Sequence, residues 1–356
     1  MAGDTRMATA GAKRQQERTQ SMQGHLTDGV VEVGANGRER YYDSRGYGRP
    51  RGDGVALSRV EAAHLLYRGD LDAVDGEDFA AFLAANDDVV VPFLVYKDLR
   101  DRGFYVSPAR DGWVDDPAGV DFIVHPRGDG PWDGTAEHRV RVVGERASVS
   151  LASLGDVVLA VVDEESELTY LETGRSEVSG SSERSFDGTV TGHLLDERVL
   201  CWNPPPELYE RGFYGQQMSR DDDTLQLSLM EAAYLAAEGA LEIEGGVDAV
   251  VERGRAVEGE RFDRRLAVYR HLREQGVVPK TGFKFGADFR TYADVETVED
   301  LGHSELLVRV LPAETTLSPR DLALDVRLAH GVRKEMVFAL VDGASIRWLS
   351  VSRLTP

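Results

Sequence analysis

The chain is short of cysteine, of lysine and of long apolar runs. Cys201 is its single cysteine, so no intrachain disulfide can form and a reducing cytoplasm suits it. No run of about 18 apolar residues occurs, so nothing reads as a membrane-spanning helix. The N-terminus lacks the apolar core with basic flanks that marks a signal peptide. The expected location is cytoplasmic, with no membrane partner. Of the 41 basic residues only five are lysines: Lys13, Lys97, Lys280, Lys284 and Lys334. Against them stand 62 acids, giving a net charge of −21. Dense carboxylates keep a protein soluble. A salt-rich cytoplasm also fits, because it screens their repulsion within about 3 Å at 1 M salt. Positive surface, the usual grip on phosphates, is scarce. A nucleic-acid partner would have to be held by stacking and shape.

What the chain does have is a second copy of itself. Gly24-His25-Leu26-Thr27-Asp28 returns as Gly192-His193-Leu194-Leu195-Asp196. Leu57-Ser58-Arg59-Val60-Glu61-Ala62-Ala63 returns as Leu227-Ser228-Leu229-Met230-Glu231-Ala232-Ala233, and Val95-Tyr96-Lys97-Asp98-Leu99-Arg100 as Val268-Tyr269-Arg270-His271-Leu272-Arg273. The offsets are 168, 170 and 173 residues, in order and without crossing. That is far longer than a solenoid period of roughly 20–50 residues, so a whole domain-sized unit is duplicated. The expected division is a disordered polar tail over 1–22, a first repeat over 23–189 and a second over 190–356. The second repeat would split further into 190–260 and 261–356. Met22 is an alternative start.

Ser58–Tyr67 and Ser228–Ala237 each predict an amphipathic helix opened by a Ser-x-x-Glu capping box. A second helix is expected over about 75–102 and 260–275, each closed by a glycine, Gly103 or Gly276, with Pro92 breaking or beginning a segment within the first. Strands are predicted at 121–124, 139–143, 157–162 and 168–171, and at 289–293, 305–311, 336–341 and 347–351. Ser318-Pro319-Arg320-Asp321 starts a further helix that stops at Gly331. Gly174–Gly188 reads as a linker or loop. Helices preceding a mixed sheet with one crossover helix make each repeat α/β, or α+β.

Strand against strand, three positions that read His125, Thr135 and Gly155 in the first copy read Tyr292, His303 and Lys334 in the second. Taken singly, each of the latter has a plain structural reading. Tyr292 is a sheet aromatic, His303 a surface histidine and Lys334 a solvated strand end. Taken together, at positions where the copies diverge, they read as a site. The segments Phe285-Gly286-Ala287-Asp288-Phe289-Arg290-Thr291-Tyr292, Gly302-His303-Ser304-Glu305 and Arg327-Leu328-Ala329-His330-Gly331-Val332-Arg333-Lys334 resemble the catalytic half of archaeal tRNA-splicing endonucleases. The steps of 11 residues from Tyr to His and 31 from His to Lys suit that family. The resemblance covers both repeats and is closest to the two-repeat, homodimer-forming type, with a haloarchaeal composition.

The resemblance implies cleavage of precursor tRNA at both intron boundaries of a bulge–helix–bulge RNA. The ends expected are a 2′,3′-cyclic phosphate and a 5′-hydroxyl. RNA supplies its own nucleophile, the 2′-OH, so the protein needs a base, an acid and a positive charge. Tyr292 is the expected base. A free phenol titrates near about 10, and a neighbouring ammonium favours its phenolate. His303 is the expected acid, since imidazole titrates near about 6.5. Lys334 supplies charge where negative charge develops. His330 is a rival acid, read instead as a helix C-terminal residue. No cofactor is expected, and no His/Asp/Glu cluster has metal-ligand spacing. By resemblance Arg327 and Arg353 sandwich a flipped-out base, and the loop Asp163-Glu164-Glu165-Ser166-Glu167 docks into a partner subunit. Two bulges need two cuts, which a C2 homodimer would supply. The competing reading is a non-catalytic RNA-binding or assembly subunit on the same fold.

Overall fold

A computed structural model describes residues 21–182, 186–219 and 222–356, with Asp222 and Asp300 described by their backbone alone. Of the expected tail, residues 1–20 lie outside the described residues, as do 183–185 of the expected linker. Two compact units result. One comprises the chain up to 145 with 157–170 and 354–356, and the other comprises 146–156 and 171–353.

The first unit opens with a small sheet that the helix and strand periodicities did not predict. Its strands are β1 (Gln23–Thr27), β2 (Val30–Val33), β3 (Arg49–Arg51), β4 (Gly54–Ser58) and β5 (Ala73–Val74), in the order β3-β4-β2-β1-β5. Asp28 and Gly29, both at positive φ, form the two-residue turn between β1 and β2, the backbone that matches strand twist. Met22 is buried and donates its N–H to the Asp72 carboxylate. Helix α1 (Arg59–Tyr67) starts with the expected box, Ser58 Oγ accepting from Glu61 N and Glu61 Oε2 from Ser58 N. The long helix expected over 75–102 is instead α2 (Phe79–Ala85) and α3 (Val90–Asp101), separated by a 3-10 turn at Asp87–Val89. Asn86 leaves helical backbone and bonds back to Phe82 O. Pro92 falls in the first turn of α3, where a missing N–H costs nothing. Then come β6 (Val106–Pro108), β7 (Phe122–Val124) and β8 (His138–Gly144). The short β9 (Val149–Ser150) belongs to the second unit. After it run β10 (Val157–Val162) and β11 (Leu168–Arg175).

The second unit repeats the plan. Strands β12 (Val190–Leu195) and β13 (Arg198–Trp202), helix α4 (Pro206–Glu210), and strands β14 (Gln216–Ser219) and β15 (Asp222–Ser228) come first. Helix α5 (Leu229–Ala237) and strand β16 (Leu241–Ile243) complete a sheet ordered β14-β15-β13-β12-β16, the same path as in the first unit. Two helices follow, α6 (Gly246–Glu258), absent from the sequence expectations, and α7 (Glu260–Glu274), hinged at Gly259 with φ 62°. The nuclease-like sheet holds β17 (Val278–Thr281), β18 (Phe289–Tyr292) and β19 (Leu306–Pro312). Beyond them come β20 (Thr316–Leu317), which pairs with β9, helix α8 (Pro319–Gly331), and strands β21 (Glu335–Asp342) and β22 (Ser345–Leu354).

Sheet register makes the internal alignment physical. Phe122 pairs with Val140 and Val140 with Val158 in one unit; Phe289 pairs with Val308 and Val308 with Val337 in the other. The fold is a mixed α/β unit present twice. Each core lies between its helices and its sheet: Leu65, Phe82, Tyr96, Val124 and Val158 in the first, Leu235, Phe262, Leu272, Val308 and Val337 in the second. The described part of the expected linker is no free loop. Gly180 N bonds Gln275 O at 2.8 Å, Ser181 N bonds Ala293 O at 2.7 Å, and Ser182 Oγ accepts from Val295 N. Gly180 stands so close to backbone that a Cβ there would lie 2.5 Å from both Ala293 O and Gly276 O. Among the described residues no single helix is long and apolar enough to cross a membrane.

Candidate active site

Three strand ends meet at one edge of the second unit's sheet. β18 runs antiparallel to β19, and β19 runs parallel to β21. The C-terminal end of β18 therefore lies beside the N-terminal ends of the other two. Beyond the regular pairing the contact continues, with Glu305 N donating to Thr291 O and Glu335 N to Glu305 O, each at 3.1 Å. Tyr292, His303 and Lys334 each sit within two residues of that row. Lys334 is delivered there by the end of α8: Arg333 takes φ 58°, and Lys334 N bonds Ala329 O. Its ammonium donates to Ser304 O at 2.6 Å, immediately beside His303, and lies 5.8 Å from the Phe285 ring centroid. Burial, and after it the Arg290 guanidinium, hold that ammonium below its ordinary value.

Side chains alternate along a strand, so Tyr292 shares a face with Arg290 while Phe289 and Thr291 face the other way. The Tyr292 ring is 7% exposed and packs with Phe213, Val278 and Val295; the Arg290 guanidinium carbon is 5.8 Å from its centroid. Both line an open cavity of about 420 Å³, together with Lys280, Thr281, Gln216 and Gln226. His303 and Lys334 are not part of its wall. His303 is exposed on the loop before β19. Among the described residues no group of three His, Cys, Asp or Glu side chains could hold a metal ion.

In the first unit the matching positions are engaged elsewhere. His125 is buried, with Nε2 2.9 Å from Ser107 Oγ and Nδ1 2.7 Å from Thr135 O. Thr135 is the counterpart of His303, so the equivalents of Tyr292 and His303 are in direct contact in this unit. Arg49, the counterpart of the cavity-lining Gln216, bonds Ser107 Oγ and Trp113 O.

Of the remaining expected residues, Arg327 and His330 belong to α8, the helix whose end delivers Lys334, and the others lie on other elements. Arg327 is exposed in the last turns of α8, and Arg353 is exposed near the end of β22. Neither has a carboxylate partner among the described residues. His330 occupies the last turn of α8, as the helix reading expected. The acidic loop joins β10 to β11, with Glu164, Glu165 and Glu167 exposed. Asp163 organises the turn, Oδ1 accepting from Glu165 N at 2.9 Å and Glu167 N at 2.8 Å. Two cavity-lining cations were missed from sequence, Lys280 and Arg290. Lys280 had a signal, being one of only five lysines; Arg290 lay inside a quoted motif without a role.

Comparison with known proteins fits this geometry. The family model for the tRNA intron endonuclease catalytic C-terminal domain matches residues 262–348. The model for the N-terminal domain of the same family matches twice, at 22–84 and 190–253. The tRNA-splicing endonuclease of Natronomonas pharaonis is 74% identical over 94% of this chain and 100% of its own length. That of Haloarcula marismortui is 65% identical over 93% and 99%. That of Methanosarcina mazei is 37% identical over 88% and 93%. With one catalytic-domain match, two N-terminal-domain matches and relatives aligned along their whole lengths, the chain belongs to the tRNA-splicing endonuclease family of enzymes.

Proposed function

We propose that this chain cuts precursor tRNA at both intron boundaries, recognising a bulge–helix–bulge RNA without a metal ion. The observation that supports the reading is that Tyr292, His303 and Lys334 each sit within two residues of one backbone row at a sheet edge, where the first unit holds His125, Thr135 and Gly155. Tyr292 takes the proton of the ribose 2′-OH, and O2′ attacks the adjacent phosphorus. The P–O5′ bond breaks as His303 donates a proton to the departing O5′. The products are a 2′,3′-cyclic phosphate and a 5′-hydroxyl, and Lys334 offsets the extra negative charge of the phosphorane. Arg327 and Arg353, both exposed and without carboxylate partners among the described residues, stack on a bulged base. Such stacking is worth about 1–3 kcal/mol per base and tolerates salt.

Two cuts need two such edges, so the active form is a homodimer, with Glu164, Glu165 and Glu167 of one subunit docking on the other. The test is incubation of intron-containing precursor tRNA with the protein in EDTA and high salt. Cleavage to cyclic-phosphate ends is expected; RNA that stays intact until magnesium is added overturns the mechanism. Binding without cleavage under either condition would favour the assembly-subunit reading. An Arg353→Ala protein that binds and cuts normally removes the base sandwich. Mass in solution decides the dimer.

A further inference from the structure

Among the described residues Arg290 is a cation without an anionic partner, in a protein crowded with anions. Four other cations of the second unit have carboxylate partners. Arg261 and Arg265 pair with Asp288, Arg309 with Asp325, and Lys280 with Glu231. Among the described residues Arg290 has no carboxylate and no hydrogen-bond acceptor, and its Nε is buried without a partner. A partly buried guanidinium left like this is costly, and 62 acids were on hand to satisfy it. The first unit avoids the cost: at the same register its sheet carries Ile123, 6% exposed, opposite Ser107, where the second carries Arg290 opposite Lys280.

The guanidinium also stands where an anion would arrive. It shares a strand face and the cavity wall with Tyr292. Its field reaches both flanking lysines, lowering the proton affinity of Lys280 and of Lys334 in addition to the larger effect of burial. Lys280 is committed to Glu231 and to Gly215 O, and Lys334 to Ser304 O. Arg290 alone of the three has an unclaimed fork of N–H donors, a geometry that matches two oxygens of one phosphate.

We propose that Arg290 binds the non-bridging oxygens of an RNA phosphodiester at the Tyr292 wall of the cavity, making it a second cationic contact to the reacting strand beside Lys334. This rests on the cleavage reading given above. A guanidinium there orients the phosphate and shares its developing charge. Lysine would be a poor substitute, being a point charge without the planar fork.

The experiment compares wild type, Arg290→Met, Arg290→Lys and His303→Ala in single-turnover cleavage of one precursor tRNA. The RNA is made with either oxygen or sulfur at a non-bridging position of the scissile phosphate, and thermal melting monitors folding. Arg290→Met is expected to slow cleavage about 100-fold, the scale of losing one charge-stabilising donor, with Arg290→Lys between it and wild type. Sulfur should slow wild type but add little to the slowing in Arg290→Met, because the contact it perturbs is already gone. If Arg290→Met does not fold, the sulfur comparison is made on Arg290→Lys. Equal sulfur effects in variant and wild type, or cleavage by Arg290→Met within ~twofold of wild type, overturn the assignment while a slow His303→Ala leaves the cleavage reading standing. A wild type that does not cut the RNA takes down both.

Discussion

Glu61 and Glu231 occupy the same place in the two units and meet different company. Each closes a capping box and also accepts a distant backbone N–H, from Gly48 at 2.7 Å in the first unit and Gly215 at 2.9 Å in the second. Burial pushes the Glu61 carboxyl above its usual range, and its hydrogen bonds do not bring it back. Burial pushes Glu231 up as well, but the Lys280 ammonium and the hydrogen bonds outweigh it, and the carboxyl lies below its usual range. Lys280 is possible because β17 carries it where β6 carries Ser107. The surroundings follow suit. Arg100 over Tyr47 at 4.2 Å and Arg273 over Tyr214 at 4.1 Å are the same stacked pair in both units. His64, however, lies 2.9 Å from the Tyr47 hydroxyl, while the second unit has Tyr234 at that position. The duplication kept the scaffold of buried polar groups. Only the second copy carries Lys280 and Arg290 on its edge strands, where the first has Ser107 and Ile123 with Arg49 reaching in from β3, and the second copy is the one that holds Tyr292, His303 and Lys334.

The contrast breaks most sharply by exchange of matched residues. His303→Ala should slow single-turnover cleavage by about 10²–10⁴-fold, the usual contribution of a general acid, while Thr135→Ala should leave the rate unchanged. Equal losses in both would mean that the copies share the chemistry. Next in size is the ion pair. Lys280→Met leaves Glu231 buried without its cation and should cost about 3 kcal/mol in denaturant unfolding. Ser107→Ala, at the matching position, should cost far less.

Acid should find the first unit before the second. Burial, then the Arg100 and Arg68 cations, hold the His64 imidazole down at about 4, against about 6.5 in the unfolded chain. The unfolded state therefore takes up the proton first as pH falls. The stabilising contribution of neutral His64 is complete above about pH 6.5 and is lost progressively toward pH 4, up to about 3 kcal/mol. Unfolding measured across that window in molar salt should fall more steeply for wild type than for His64→Gln. Parallel curves would show that His64 is protonated in the folded protein. The smallest expected effect is shared by the copies: Ser58→Ala and Ser228→Ala should each cost about 1 kcal/mol for the lost cap. A marked inequality there would locate a difference in the scaffold itself.

Local chemistry was legible in the sequence, and long-range pairing was not. The capping boxes at Ser58 and Ser228, the start of α8 at Ser318 and the run of β10 all announce themselves within a few residues. The hairpins around Asp28 and Asp196 were visible as repeated motifs, but their strands are too short for a period-2 pattern to stand out. Helix α6 is broken from α7 only at Gly259, a position marked by backbone angle more than by composition. Tyr292, His303 and Lys334 could be chosen because the copies differ there. That they share an edge depends on β18, β19 and β21 pairing across 46 residues. Lys280 meets Glu231 across 49 residues, and no spacing rule reaches so far. Arg290 becomes conspicuous only once its guanidinium is seen to have no partner beside paired Arg261, Arg265, Arg309 and Lys280.

The bonds of Gly180, Ser181 and Ser182 to Gln275, Gly276 and Ala293 bear on how such a gene can be divided. A break at the sequence boundary near residue 189 would leave those three residues on the wrong polypeptide, and the backbone beside Tyr292 would lose the donors that hold it. A separated second copy must therefore carry its upstream segment with it. The join between the repeats has become part of the copy it precedes, so the duplication can no longer be undone at the seam where it was made.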